Sequence, residues 1–317
     1  MTQAKTYQVA GIGNAIVDVI STVDDLFLDH MGIHKGIMQL IERDRAETLY
    51  ASMKDRAEAS GGSVCNTIAG VGALGLKTAL VGRVHDDALG RFFAHDTARA
   101  GTAFVNPPVP GGELPTSRSM IFVTPDGERS MNTYLGISAE VSPDDVDETV
   151  MADSEIVFLE GYLFDKDKGK AAFLKAAQAC RGAGGRVGIS LSDPFCVDRH
   201  RADFRRLVRD EMDYVIGNEQ EWTSLYQAND LDDALAQAVQ DCGIVVCTRS
   251  GDPVVLIQDG HRVEAPVRSV TPVDATGAGD QFAAGRMGNI AAAEVIGHIG
   301  ARPQRDILAM FRATGLV

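Results

Sequence analysis

The sequence predicts an α/β fold: a mostly parallel sheet covered by helices, with a small accessory sheet beside it. Short apolar runs of strand length recur through the 317 residues. Stretches with helical spacing of apolar residues lie between many of them. Two segments, about 19–42 and 102–135, break this alternation.

The strand-like runs are 9–12, 78–81, 120–123, 156–159, 187–190, 214–216, 244–247 and 254–257. Helical patterns are clearest at 67–74, 168–180, 203–212 and 231–242. The two exceptional segments carry short strand-like pieces and turn signals such as Pro125-Asp126-Gly127. They are expected to form a small β lid over a site. No linker or repeat divides the chain, so residues 1–317 are expected to form one unit. In sheets of this kind ligands bind outside the carboxyl ends of the strands, and the motifs below fall just after predicted strands.

A hydrophobic share of 45% and a charged share of 23% suit a globular chain with a large core. The net charge of −14 disfavours nucleic acid and anionic membrane as partners. It also repels polyphosphates at long range, so a nucleotide site would need local donors. No apolar run is long enough to span a bilayer, and the first residues lack the apolar stretch of a signal peptide. The five cysteines are scattered, without a C-x-x-C pair or metal-ligand spacing to the histidines. Reduced thiols in a cytoplasmic protein are expected, with Cys65 as a small core-filling residue.

The strongest motif is Asp274-Ala275-Thr276-Gly277-Ala278-Gly279-Asp280, placed before an apolar helix. Glycines allow a sharp turn and close approach of an anion to backbone N–H groups. The N–H groups of Gly277, Ala278 and Gly279 would open from a helix N-terminus, where partial positive charge suits a phosphoryl group in transfer. Asp280 would sit in the first turn, within reach of an acceptor hydroxyl. The helix dipole is expected to lower its pKa. A bare G-x-G-D would read as a helix cap; the whole heptapeptide reads as function.

The heptapeptide resembles the C-terminal signature of the ribokinase-like (PfkB) carbohydrate kinases. A second stretch, Ser60-Gly61-Gly62-Ser63-Val64-Cys65-Asn66-Thr67 with Gly70 to Asp86 and Leu89-Gly90, is similar to that family's glycine–glycine motif. The resemblance runs from Gly11 to Pro303. It implies a three-layer α/β fold, ATP with Mg2+, and Asp280 as base beside an anion hole at Gly277, Ala278 and Gly279. Dependence on a monovalent cation stays open, as does the oligomeric state.

Further residues take roles from the same resemblance. Asn14 and Asp18, after the first strand, would contact sugar hydroxyls; alone they read equally as a strand-end turn. Gly61, Gly62 and Asn66 would floor the sugar site, or cap a helix. Asn218 and Glu221 match an N-x-x-E motif, with Asn218 steering a phosphate and Glu221 holding magnesium through water; the alternative is a solvated helix start. Thr248, Arg249 and Gly251 resemble a turn near the ATP phosphates, which also suits a hairpin turn. Asn289 resembles a residue near adenine. Where the family has a further stretch of helix and a turn, Gly285 is followed directly by Arg286, which unsettles the placement of Asn289.

Segments 35–40, 129–136, 160–163 and 191–195 are similar to the bacterial adenosine-kinase-like branch. They bring Met38, Tyr134, Tyr162 and Phe195 towards a pocket where they could sandwich a purine base, or else pack a lid onto the body. The expected reaction is phosphorylation of the 5′-hydroxyl of adenosine or a similar nucleoside. A kinase of free ribose or fructose is the alternative, and a silent sugar-binding relative a weaker one. A NAD-dependent oxidoreductase is disfavoured because Ile16 occupies the third glycine position after Gly11 and Gly13. Arginines 199, 201, 205, 206 and 209, interleaved with acids, read as a solvated helix face.

Overall fold

The computed structural model describes residues 4–267, 277–284, 301, 302, 304, 306, 309 and 310. Asp274 to Thr276, the Gly285–Arg286 junction and Asn289 lie outside them.

Strand β1 (Tyr7–Ile12) passes through Gly13 and Asn14 directly into β2 (Ile16–Thr22). A dinucleotide-binding turn would lead from strand to helix here, so the oxidoreductase alternative loses its structural basis. Helix α1 (Asp25–Met31), β3 (Met38–Leu40), α2 (Arg43–Ser52) and β4 (Ala57–Gly61) follow. Next come α3 (Ser63–Ala73), β5 (Thr78–Val81), α4 (Ala88–Arg99), β6 (Thr102–Phe104), β7 (Ser117–Val123) and β8 (Arg129–Tyr134). The second half alternates α5 (Glu148–Ala152), β9 (Ser154–Glu160), α6 (Asp167–Gly182), β10 (Arg186–Ser190), α7 (Pro194–Glu211) and β11 (Tyr214–Asn218). It continues through α8 (Glu219–Tyr226), α9 (Leu231–Asp241), β12 (Ile244–Arg249), β13 (Asp252–Gln258), β14 (His261–Ala265) and α10 (Ala278–Ala284).

Among the described residues nine strands form the large sheet, in the order β14-β13-β12-β11-β10-β9-β1-β5-β6. Pairing is parallel from β6 to β12, and β13 and β14 add antiparallel. Alternate residues divide its faces. Ala10, Ile12, Val157 and Leu159 pack with Phe173 of α6, Phe204 of α7 and Trp222 of α8. Leu80 and Phe158 face Val64 and Ile68 of α3 and Phe93 of α4. The expected parallel sheet flanked by helices is therefore the observed one.

A separate five-stranded sheet has the order β3-β8-β7-β2-β4. The two exceptional segments supply much of it, with three corrections. Residues 25–31 form a helix, because Asp24 accepts from the Phe27 N–H and Gly32 closes the other end in a left-handed conformation. Residues 102–104 extend the large sheet by pairing with β5. Strand β4, Ala-Glu-Ala-Ser-Gly, was not expected; it lacks β-branched residues and is fixed by pairing with β2. The helical pattern at 203–212 is the second half of α7, which bends at His200 (φ −125°).

Candidate functional site

A cleft of about 760 Å³ opens between the small sheet and the carboxyl ends of β9 to β12. Asp280 stands at its floor, on the first turn of α10. Ser63 Oγ donates to Asp280 Oδ1 at 2.7 Å, and Asn66 Nδ2 donates to Oδ2 at 3.1 Å. Both donors sit at the start of α3, so the two glycine motifs, far apart in sequence, meet at one carboxylate. Burial pushes the Asp280 carboxyl up to about 6, against the lowering effect of these two hydrogen bonds. The expected lowering by the helix dipole is thus overturned, because desolvation outweighs it.

Gly277 has φ +75°, and a Cβ there would lie 2.7 Å from the Ala301 carbonyl oxygen. The first intrahelical bond runs from the Gln281 N–H to the Gly277 carbonyl at 2.9 Å. The N–H groups of Ala278, Gly279 and Asp280 therefore have no helical acceptor. Gly277 and Gly279 line the cleft beside Asp280, and Ala278 does not.

The floor near the small sheet is built by Gly62, with φ +104°. A Cβ at Gly62 would sit 2.0 Å from the Asn14 carbonyl oxygen, and one at Gly61 would sit 2.4 Å from Asp18 Oδ2. Asp18 lines the cleft. Asn14 also lines it, but its amide is engaged: Nδ2 donates to Glu160 Oε1 at 2.6 Å and Oδ1 accepts from Ser138 Oγ at 2.8 Å. Asn66 Oδ1 is buried without a hydrogen-bond partner among the described residues.

Glu160 was not singled out from the sequence. It ends β9, lines the cleft and accepts the Val64 N–H at 3.0 Å and the Asn14 N–H at 3.1 Å. Burial, aided by the charge of Asp280, pushes it up to about 7 despite these donors. A carboxylate closing a buried apolar strand just before Gly161 was the available signal.

At the opposite end, Asn218 and Glu221 line the cleft as a capping box. The Asn218 N–H and Nδ2 donate to the two Glu221 oxygens at 2.8 and 2.7 Å. Glu221 is 5% exposed, so the solvated-helix alternative fails, and burial pushes it up to about 7. Thr248 lines the cleft. Arg249 and Gly251 do not: Arg249 lies 3.9 Å from Glu219, and Gly251 belongs to the β12–β13 turn. Both sit where β12 turns into β13, as the hairpin reading expects.

Met38 and Tyr162 line the cleft with Phe195, and the Tyr162 hydroxyl donates to the Ser192 carbonyl at 3.1 Å. Tyr134 is a correction: it packs in the core, and its neighbours Thr133 and Leu135 face the cleft. The arginines of α7 pair with Asp165, Asp198, Asp241, Asp203 and Asp210; Arg199, read as part of a solvated face, also lines the cleft. All five cysteines are buried and unpaired in disulfides.

A cleft at the carboxyl ends of a parallel sheet, with a carboxylate beside open helix-terminal N–H groups, defines a carbohydrate or nucleoside kinase. The chain belongs to the pfkB family of carbohydrate kinases, whose pattern matches residues 32–304. It is similar to an adenosine kinase from Sinorhizobium meliloti, with 44% identity and a TM-score of 0.89 over 98% of this chain and 99% of that one. A probable sugar kinase from Rhizobium etli CFN 42 gives 42% identity and a TM-score of 0.90 over 99% and 100%. The guanosine-inosine kinase of Escherichia coli K12 is 24% identical over 76% of this chain, and the match spans 57% of that protein's length.

Proposed function

We propose that the chain transfers the γ-phosphoryl group of ATP to the 5′-hydroxyl of adenosine or a similar nucleoside. The observation that carries this is Asp280, held by Ser63 and Asn66 between an apolar sheet face and the Asn218–Thr248 end of the cleft. Met38, Leu40 and Met131 offer one wall for a base, and Phe195 and Tyr162 the other. The sugar would lie over Gly61 and Gly62, with Asp18 and Asn66 beside its hydroxyls.

Asp280 orients the acceptor hydroxyl and takes its proton as the new O–P bond forms and the bond from the γ-phosphorus to the departing ADP breaks. The N–H groups of Gly277 and Gly279 receive the oxygens of the moving group. Among the described residues the cleft is lined by Asp18, Glu160, Asp165, Asp193, Glu221 and Asp280, against the single cation Arg199. Arg199 is itself bound to Asp165 at 2.9 Å. So acidic a cleft admits a polyphosphate only with its charge neutralised, which fits Mg2+ held by phosphate and water, with Glu221 contacting the water. When bound, Mg2+ would supply neutralisation of the phosphate charge. The small sheet would act as the lid, and an intracellular, purine-recycling role fits this chemistry.

Phosphorylation of a free sugar is the second reading, favoured by a fructokinase from Klebsiella pneumoniae that is 26% identical over 73% of this chain. Steady-state kinetics with nucleosides and with ribose and fructose separate the two. Phe195→Ala sharpens the test. The ring is 71% exposed, so its loss barely affects stability. Loss of base stacking raises the nucleoside KM by about tenfold. Turnover of ribose or fructose with none of adenosine would sink the nucleoside reading.

The kinase should also show an acid limb. Because the Asp280 carboxyl is raised to about 6, the group is protonated below that pH and cannot act as base. The rate is expected to fall about tenfold per pH unit below roughly 6 and to be flat above 7. A kcat that stays constant down to pH 4.5 would contradict the role of Asp280.

A further inference from the structure

Gln281 directly follows Asp280 and is fully buried where α10 packs on α3. Such a position ordinarily takes an apolar side chain. Here Nε2 donates to the Asn66 main-chain carbonyl at 2.9 Å and to the Ala301 carbonyl at 3.3 Å. Its Oε1 is buried without a partner among the described residues. An unpaired buried acceptor is unfavourable, so the amide is a poor choice for packing alone. What it adds is direction. Asn66 is held to α10 twice, through its carbonyl by Gln281 and through Nδ2 by Asp280. Ser63 supplies a third bond, at the first residue of α3. A carboxylate bonded only through its own two oxygens lets α10 pivot; the Gln281 bond, offset along the helix, removes that freedom.

We propose that Gln281 is a positioning residue that keeps Asp280 in register with Ser63 and Asn66. The proposal rests on the reading of Asp280 as base. It predicts an effect on turnover without an equal effect on nucleoside binding, since Gln281 does not line the cleft. It also predicts a change in the acid limb. Ser63 and Asn66 hold the Asp280 carboxyl below the level burial alone would set, so loosening them moves the limb to higher pH.

The test is Gln281→Leu in the full chain, assayed for kcat, nucleoside KM and the pH dependence of kcat, with Asp280→Asn alongside. The expected result is a loss of about 10- to 100-fold in kcat, KM within about threefold, and an acid limb raised by about half a unit or more. Gln281→Met, with an unbranched chain of similar length, replaces it where the leucine variant does not fold. A wild-type acid limb, with kcat either kept or lowered, overturns the proposal. If Asp280→Asn is inactive at the same time, only the role of Gln281 falls. If Asp280→Asn is active, the base reading falls and takes this one with it.

Discussion

Asp280→Asn should lower kcat by about a thousandfold while the nucleoside KM stays within about threefold. The amide keeps the shape and volume of the carboxylate, so the cleft floor persists. It cannot take a proton, and its NH2 group replaces one of the two oxygens that now accept separately from Ser63 and Asn66, while its carbonyl oxygen can keep the other bond. The folded structure should not suffer. A carboxyl raised in the folded state contributes stability that is full below its unfolded value of 3.8 and is lost as pH rises through about 6. Above pH 7 the wild type carries that disadvantage and the asparagine variant does not. Thermal unfolding at pH 8 should therefore give a Tm no lower than wild type. A variant retaining a tenth or more of the wild-type kcat would remove Asp280 from the chemistry.

Gly62→Ala should damage both stability and activity. The position has φ +104°, and the new Cβ would come 2.0 Å from the Asn14 carbonyl oxygen, a main-chain atom that cannot rotate aside. Strain of this kind is worth about 1–3 kcal/mol before the clash is added. The loop must shift, and Ser63, the next residue, carries one of the bonds to Asp280. Tm should fall by about 5–10 °C and kcat/KM by about 100-fold. Gly182→Ala, at a helix end with no atom within 4 Å of the new Cβ, is the control and should leave both unchanged. Equal behaviour of the two variants would show that the Gly62 turn tolerates a side chain.

The large sheet was legible because its strands are short apolar runs, such as 156–159 and 187–190, set between helical patterns, as buried parallel strands require. The small sheet was only partly legible. Strand β4 has no strand-like composition and exists through its pairing with β2. Helix α1 was announced by Asp24 and Gly32, signals that the surrounding strand-like pieces obscured. At the site, residues bound to backbone constraints were readable: Gly62 and Gly277 occupy conformations that favour glycine. Side-chain direction was not. Tyr134 and Thr133 are neighbours on β8, and only the register decides which meets the cleft. Nor was the Asp280 environment readable, since its donors lie 217 and 214 residues away. Glu160 opens segment 160–163, in which Tyr162 alone was assigned a role, and its carboxylate is engaged only where β1, β9 and α3 meet.

The central claim is that this cleft presents a nucleoside hydroxyl to Asp280. The most direct measurement is a competition: the protein with γ-labelled ATP, Mg2+ and equal concentrations of adenosine, ribose and fructose, followed by identification of the labelled product. The account predicts label in the nucleoside 5′-monophosphate, with one ADP formed per label transferred. Label on ribose or fructose, with adenosine untouched, would contradict it.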